Sequence, residues 1–205
     1  MSEIIWTRID AAHARWDVLR HPFYRRWSAG ALSADELARY SGQYRHAVRA
    51  IADASATAAA ALPERLDLRE HAAEEAEHVG LWDGFLEAAG GSAADDPTPE
   101  TAACVSAWTR DDGALAILAR LYAIEATQPA ISETKRAGLI SCYGFEDGRA
   151  TAYFRVHASR DAEHAEEVRE LIAHVAVEDD VQRVVAAAED ALRANWRLLD
   201  GMTPA

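Results

Sequence analysis

Apolar residues recur every three to four positions along most of this chain, which is the period of amphipathic helices. Alanine, leucine, arginine and glutamate, all good helix formers, dominate these stretches. We see no convincing alternation of the kind that predicts a β-strand. The pattern predicts helices over about residues 4–20, 33–61, 63–90, 113–131, 151–175 and 179–199, a helix that begins at residue 99, and a shorter piece around residue 135.

Local signals support several of these boundaries. Ser33 and Glu36 form a capping-box pattern, and Thr98 before Pro99 is typical of a helix start. Pro129 is expected to kink the fifth helix or end it early. His21 to Tyr24 should redirect the chain, and residues 90–97 and 143–148 read as loops. The sequence shows no repeat and no linker. Residues 1–205 are therefore expected to form a single domain, an all-α bundle of seven or eight helices.

The charge of the chain restricts its partners. The 205 residues are 50% hydrophobic and carry a net charge of −13. Nucleic acid and anionic membranes both need a basic surface, so we expect neither as a partner. No apolar run approaches membrane-spanning length, and the opening residues do not resemble a signal peptide. We therefore expect a cytoplasmic protein, and Cys104 and Cys142 provide no disulfide framework.

Lys135 stands out in this composition, because it is the only lysine beside 20 arginines. A GC-rich genome explains an excess of arginine but not why one position kept lysine. Lysine, unlike arginine, can lose its proton when it is buried and can then act as a base or nucleophile. The alternative is that Lys135 has no function and that one lysine was kept by chance.

A metal site is indicated first by His157, Asp161 and His164. At 100° per residue these three side chains project from one stripe of a helix. Tyr153 before the stripe and Leu171 after it suggest that this face points inward. Two imidazoles and a carboxylate are a standard ligand mix for non-haem iron. The alternative is a polar face exposed to solvent.

A second candidate group lies on the helix predicted over residues 63–90. His71, Glu74, Glu75 and His78 share one face, which runs into the aromatic residue Trp82. Glu75 and His78 have the i, i+3 spacing found in carboxylate-bridged di-iron bundles. The alternative is a charged, exposed helix.

Glu125 is a lone acid in an apolar segment, and such a residue needs a partner if it is buried. Together the three segments offer six ligands, which suits two irons with open positions. A closed zinc site is disfavoured, because the two cysteines lack the usual spacing. The predicted metal ligands are Glu75, His78, Glu125, His157, Asp161 and His164, with His71 or Glu74 as alternatives to Glu75.

The residues also resemble a known group. Residues 19–32 resemble the start of TenA/PqqC proteins, which have a haem-oxygenase-like helical fold. Residues 40–44, residues 78–82 and the His157, Asp161 and His164 motif look like the branch of haem-oxygenase-like di-iron oxidases and oxygenases. The resemblance reaches to about residue 175. It implies five of these ligands: His78, Glu125, His157, Asp161 and His164. The position of the first carboxylate differs among members: three residues before His78 it is Glu75, which fits, and seven residues before it is His71, a departure from the usual carboxylate.

Within that branch, para-aminobenzoate synthases of the chlamydial death-domain-associating type have a lysine ten residues after the second glutamate, which here is Lys135. The resemblance implies that Lys135 is consumed together with a tyrosine, for which Tyr24 or Tyr44 is the candidate. Binding of a substrate carboxylate or action as a base are alternative roles for Lys135. TenA thiaminases are similar in fold only, since Tyr44 occupies their aspartate position.

The expected function is oxidation of a small amino-acid-like or carboxylate substrate with O2 by two Fe(II) ions or a mixed Mn/Fe pair. Tyr44 and Trp82 are expected to line the pocket, and a homodimer is expected from the fold. Two other classes stay open. One is a metal-free TenA/PqqC-like enzyme or small-molecule-binding protein, and the other is a helical protein that binds a partner.

Overall fold

The computed structural model describes residues 2–202, and this part of the chain is helical without a β-strand. Nine α-helices and three short 3-10 segments make up the described range. The α-helices are α1 (Ser2–Arg15), α2 (Pro22–Ser28), α3 (Ala34–Ala61), α4 (Leu66–Ala88), α5 (Pro99–Trp108), α6 (Ala114–Glu125), α7 (Gln128–Cys142), α8 (Ala152–Val175) and α9 (Val181–Asp200). The 3-10 segments are Val18–Arg20, Arg149–Thr151 and Glu178–Asp180. The all-α fold class is confirmed.

Two helix starts follow the local sequence signals. Ser33 Oγ accepts a hydrogen bond from Glu36 N, and Glu36 Oε2 accepts one from Ser33 N, so the predicted capping box is present. Thr98 Oγ1 accepts from Thr101 N at 3.2 Å at the start of α5. Both helices therefore have side-chain partners for backbone amides that the first turn leaves free.

The helix count differs from the predicted seven or eight because two segments divide differently. The first helix ends at Arg15, and the segment expected to be a turn forms α2. The ring nitrogen Nδ1 of His21 accepts from Phe23 N at 3.1 Å, and Pro22 lies in the first turn. Pro129 has the expected effect, because α6 ends at Glu125 and α7 begins just before the proline.

The arrangement of the helices determines which segments meet. Helices α3 and α4 pack along each other, and α8 packs against α4, α6 and α7. Helix α9 packs against α1, α5 and α6. Consequently α8 places its inner face between α4 and α6, the two other helices that carry the predicted ligands.

An aromatic cluster fills the centre of the bundle. Trp27, Tyr40, Trp82, Phe85 and Phe154 are fully buried and stack edge-on or tilted against one another. Among residues 2–202, no helix is both long and apolar enough to cross a membrane. The expected homodimer stays a prediction.

Candidate metal centre

Polar residues occupy the middle of the buried face of α4. This face carries Leu68, His71, Glu75, His78 and Trp82, spaced by three or four residues, so all five side chains lie on one stripe. Only 1% of Glu75 is exposed, and both histidines are also buried. Burial of this stripe inside a bundle is costly unless its polar groups find partners.

The ligands predicted on the other two helices are buried as well. His157, Asp161 and His164 lie on the inner face of α8, and Glu125 is the last residue of α6. All six predicted ligands are therefore inside the protein, on three helices that surround one region.

Two groups of three donors are close enough to hold a metal ion each. His71, Glu75 and His164 form one group, and Glu75, His78 and His157 form the other. Within each group the donor atoms lie within 4.8 Å of one another. Donors bound at about 2.1 Å to one ion lie at most about 4.2 Å apart, so small side-chain movements would suffice. Glu75 belongs to both groups, and we call the two groups together the metal centre.

Glu125 lies beside the first group. Its Oε1 is 3.2 Å from His71 Nε2, and neither of its oxygens has a hydrogen-bond partner in the described part of the chain. Burial raises the pKa of Glu125 to about 7, against the opposing charge of His71. A positive ion at this position would restore the carboxylate to its charged form.

Asp161 lies beside the second group and holds the ring of His157. Both of its carboxylate oxygens are 2.8 Å from Nδ1 of His157. Such a carboxylate fixes the ring orientation and leaves the other ring nitrogen available as a ligand. Nε2 of His157 is buried and has no hydrogen-bond partner among the described residues.

The donor chemistry of the metal centre fits metal ions. Its buried atoms without hydrogen-bond partners, counted over residues 2–202, are His71 Nε2, Glu75 Oε2, Glu125 Oε1 and Oε2, His157 Nε2 and His164 Nδ1. Almost all buried polar groups in proteins are satisfied, so six unsatisfied atoms at one place require an explanation. Bound cations coordinated by these nitrogen and oxygen atoms would provide one.

The electrostatics of the metal centre favour positive charge. Burial lowers the pKa of His71, but the charge of Glu125 and those of Glu75 and Asp161 outweigh burial and raise this pKa to about 9. The pKa of His157 is also raised, because hydrogen bonding and charge from Asp161 exceed the effect of burial. The carboxylates therefore keep these imidazoles protonated, and a metal ion that binds to the imidazoles would displace the protons.

Glu74 lies at the outer edge of the metal centre rather than inside it. Arg160 donates to Glu74 Oε1 at 2.8 Å, and His164 Nε2 is 3.5 Å from Glu74 Oε2. The side chains of Glu74 and Arg160 are 38% and 48% exposed. Of the three candidates for the first ligand on α4, Glu75 and His71 therefore face the centre and Glu74 faces its rim.

Lys135 lies in a separate aromatic enclosure, which we call the lysine chamber. Its Nζ is 4.3 Å from the centre of the Tyr44 ring and 5.5 Å from that of Tyr24. The rings of Tyr40, Trp82 and Phe154 are 5.6–5.7 Å away. Nζ is fully buried without a hydrogen-bond partner among the described residues, and burial lowers its pKa to about 7.

Several polar residues near the two sites were not identified from the sequence. Gln128 and Ser132 share the inner face of α7 with Lys135, and the buried Gln128 Oε1 and Ser132 Oγ have no hydrogen-bond partner in the described range. Their spacing of i, i+4 and i+7 is a signal that could have revealed them. Tyr153 indicated only which way the α8 face points; its ring centre is 4.1 Å from that of His157, and its position four residues before His157 is a similar signal.

Sequence comparison assigns the chain to a group of redox proteins. A family described as iron-containing redox enzyme matches residues 38–196. A 4-aminobenzoate synthase from Chlamydia muridarum is 30% identical over 207 aligned residues, covering 94% of this chain and 87% of that protein. A 4-aminobenzoate synthase from Nitrosomonas europaea is 29% identical over 220 residues, covering 95% of this chain and 89% of that protein.

Solved structures support the fold. A TenA homologue from Pseudomonas syringae pv. tomato superposes with a TM-score of 0.83 at 18% identity, covering 97% of this chain and 90% of that one. A domain with a haem-oxygenase-like fold from Shewanella denitrificans gives a TM-score of 0.80 at 22% identity, covering 94% and 89%. At these identities the likeness shows the fold alone, and the predicted haem-oxygenase-like fold is confirmed.

Proposed function

The chain belongs to the family of iron-containing redox enzymes, and we propose that it is a non-haem di-iron enzyme that uses O2 to oxidise a small organic molecule. The observation that carries this proposal is the position of Glu75, which is buried between two donor groups and shared by both. A carboxylate with two oxygens can bridge two ions at such a position. A single-ion site would leave one of the groups unexplained.

The proposed roles of the side chains follow from the contacts described above. His71, Glu75, His164 and Glu125 would hold one ion, and Glu75, His78 and His157 the other. Bound Fe(II) would supply electrons and open coordination positions for O2. Asp161 adds negative charge and fixes the ring of His157 through its Nδ1. His71 replaces the carboxylate expected seven residues before His78, and Glu75, one turn later, supplies a carboxylate instead.

We further propose that the product is 4-aminobenzoate, as the names of the relatives suggest, and that Lys135 supplies its nitrogen. Lys135 is the only lysine of the chain and is enclosed by aromatic rings without a hydrogen-bond partner in the described range. Deprotonation on burial would leave the amine with a free lone pair. The ring of Tyr44 is the nearest tyrosine ring, and Tyr24, whose hydroxyl is hydrogen-bonded to that of Tyr40 at 2.8 Å, is the second candidate.

Iron binding tests the first part of the proposal. After anaerobic loading with Fe(II), we expect about two irons per chain in the unaltered protein. Glu75→Ala should bind less than half as much, because the shared carboxylate contributes to both ions. Glu77→Ala is the matched control, since Glu77 lies on the same helix but is exposed. Absence of iron from the unaltered protein, or equal loading of Glu75→Ala, would refute the proposal.

Isotope labelling tests the second part. Protein grown with 15N-lysine is loaded with Fe(II) and exposed to air, and small molecules are analysed by mass spectrometry. We expect 15N in 4-aminobenzoate and no product from Lys135→Arg, although this variant should still bind iron. An unlabelled product would show that the nitrogen comes from elsewhere.

A further inference from the structure

A cleft on the surface lies at the junction between α6 and α7, the two helices that carry Glu125 and Lys135. It is lined by residues of α1, of the segment after α1, of the junction between α6 and α7, and of α9, and it has a volume of about 370 Å³. Its walls include His13, Trp16, Leu19, Ile131, Leu192 and Asn195. We call it the junction cleft. Its volume lies within the range of about 300–1,000 Å³ that is typical of small-molecule sites.

The junction cleft adjoins the metal centre along the chain and the lysine chamber across one helix. Ala126 and Thr127, which line it, directly follow Glu125 at the break between α6 and α7. Ala130 and Ile131 line it from α7. Ile131 and Lys135 are both buried and lie one turn apart on α7, so this helix extends from the wall of the cleft to the wall of the chamber.

Asn195 connects the junction cleft with the lysine chamber. It is only 7% exposed, lines the cleft, and its Oδ1 has no hydrogen-bond partner within residues 2–202. Burial raises the pKa of Tyr44, and the nearby side chains of Gln128 and Asn195 oppose that rise, although the hydroxyl has no hydrogen-bond partner of good geometry among the described residues. The ring of Tyr44 in turn contacts Lys135 Nζ. Asn195 is therefore a wall residue of the cleft that lies near Tyr44, a wall residue of the chamber.

We propose that the junction cleft binds monocyclic aromatic molecules with a polar substituent and is their passage between solvent and the lysine chamber. The aromatic and aliphatic walls formed by Trp16, Leu19 and Ile131 suit a flat ring. The amide of Asn195 suits a polar substituent, because a rotation of this side chain in the cleft wall would bring its buried, unsatisfied Oδ1 to a bound ligand. This inference rests on the proposed function, since it concerns the route of a product made at the buried site.

A cavity-filling variant tests where the aromatic molecule binds. Ala130→Trp places a large side chain at an exposed position that lines the junction cleft, whereas Ala137→Trp changes an exposed alanine of the same helix that does not line it. Ligand-observed NMR and quenching of tryptophan fluorescence measure binding of 4-aminobenzoate to the full chain. We expect a Kd of about 1 mM or tighter, weakened at least about tenfold by Ala130→Trp and unchanged by Ala137→Trp.

A second variant tests the role of the amide. Asn195→Leu keeps a similar volume but removes the hydrogen-bonding group, and it should weaken binding of 4-aminobenzoate about tenfold. Binding of toluene, which has no polar substituent, should be unchanged or stronger. Equal loss for both ligands would show that the amide has no specific role and would overturn this part of the inference.

The test separates the inference from the proposed function, because iron loading is measured on the same samples. If iron binds but 4-aminobenzoate does not bind to the unaltered protein, or binds equally well to Ala130→Trp, the inference fails and the di-iron proposal stands. If 4-aminobenzoate binds in the junction cleft and iron does not bind, the di-iron proposal fails and the cleft remains a binding site for aromatic molecules.

Discussion

Replacing Lys135 by methionine should change how stability depends on pH. Lys135 is fully buried among aromatic rings, and burial alone lowers its pKa from 10.5 to about 7. Methionine has a similar length and flexibility but no ionisable group, so it fills the same space without the amine. The prediction applies to the metal-free protein, in which no bound cation perturbs the amine further.

The magnitude follows from the shift. One pKa unit corresponds to 1.36 kcal/mol, so the charged amine destabilises the folded protein by on the order of 5 kcal/mol at pH values below 7. Because the folded pKa lies below the unfolded one, the unfolded chain binds more protons between pH 7 and 10.5, and stability rises with pH across this window. Between pH 7 and pH 9 the free energy of unfolding should rise by about 2 kcal/mol relative to Lys135→Met.

Urea denaturation of both proteins at pH 7 and pH 9 measures this difference. Other groups that titrate in this range are common to both proteins, so their contributions cancel in the difference. Because the chain has one lysine, 15N-lysine labelling gives a single side-chain signal that reports its pKa directly. Parallel pH dependences for the two proteins, with a normal lysine pKa by NMR, would refute the argument from burial.

Two further predictions concern the metal centre and the core. Asp161→Asn should lower iron affinity about 10- to 100-fold in a chelator competition, because the charge that holds His157 is lost; unchanged affinity would contradict this role. Gly138→Ala should lower the free energy of unfolding, measured in urea, by about 1–3 kcal/mol, because the new Cβ would lie 2.6 Å from Trp27 Nε1. Gly80 has open space around it, so Gly80→Ala should stabilise α4 by about 1 kcal/mol. Equal effects of the two alanines would argue against the close packing of α2 on α7.

Most of the fold was predictable because helix periodicity and standard caps are local properties. The capping box at Ser33 and the start at Thr98 needed no tertiary information. Helix α2 was interpreted as a turn because its cap is His21, a residue type that is not among the usual N-caps. Its seven residues are also too few to show a helical period, so its stability depends on the His21 cap and on the burial of Phe23, Tyr24 and Trp27 in the core.

The candidate site was predictable only as far as spacing within one helix decides it. The spacing of His157, Asp161 and His164 places them on one face of a helix, whether that face is buried or exposed. The choice among His71, Glu74 and Glu75 depended on how α4 is rotated against α8, and the sequence does not contain that angle. The approach of Asn195 to Tyr44 likewise depends on how α9 packs in the bundle, so no local pattern could have shown it.

The distribution of unsatisfied polar atoms separates function from structure in this bundle. Indole nitrogens in the core are satisfied, because Trp27, Trp82 and Trp108 donate to the backbone oxygens of Lys135, Ser41 and Ala191 at 2.8–3.2 Å.

Over residues 2–202, the buried side-chain atoms that lack partners lie almost all in or beside the metal centre and the lysine chamber, with Arg120 Nε as an exception. Each such atom costs about 1–3 kcal/mol. The chain satisfies its buried polar groups almost everywhere else. It would not keep so many unsatisfied atoms in one region unless a ligand binds them. Asn195 follows the same pattern, since it lines the junction cleft and its buried Oδ1 has no partner among the described residues.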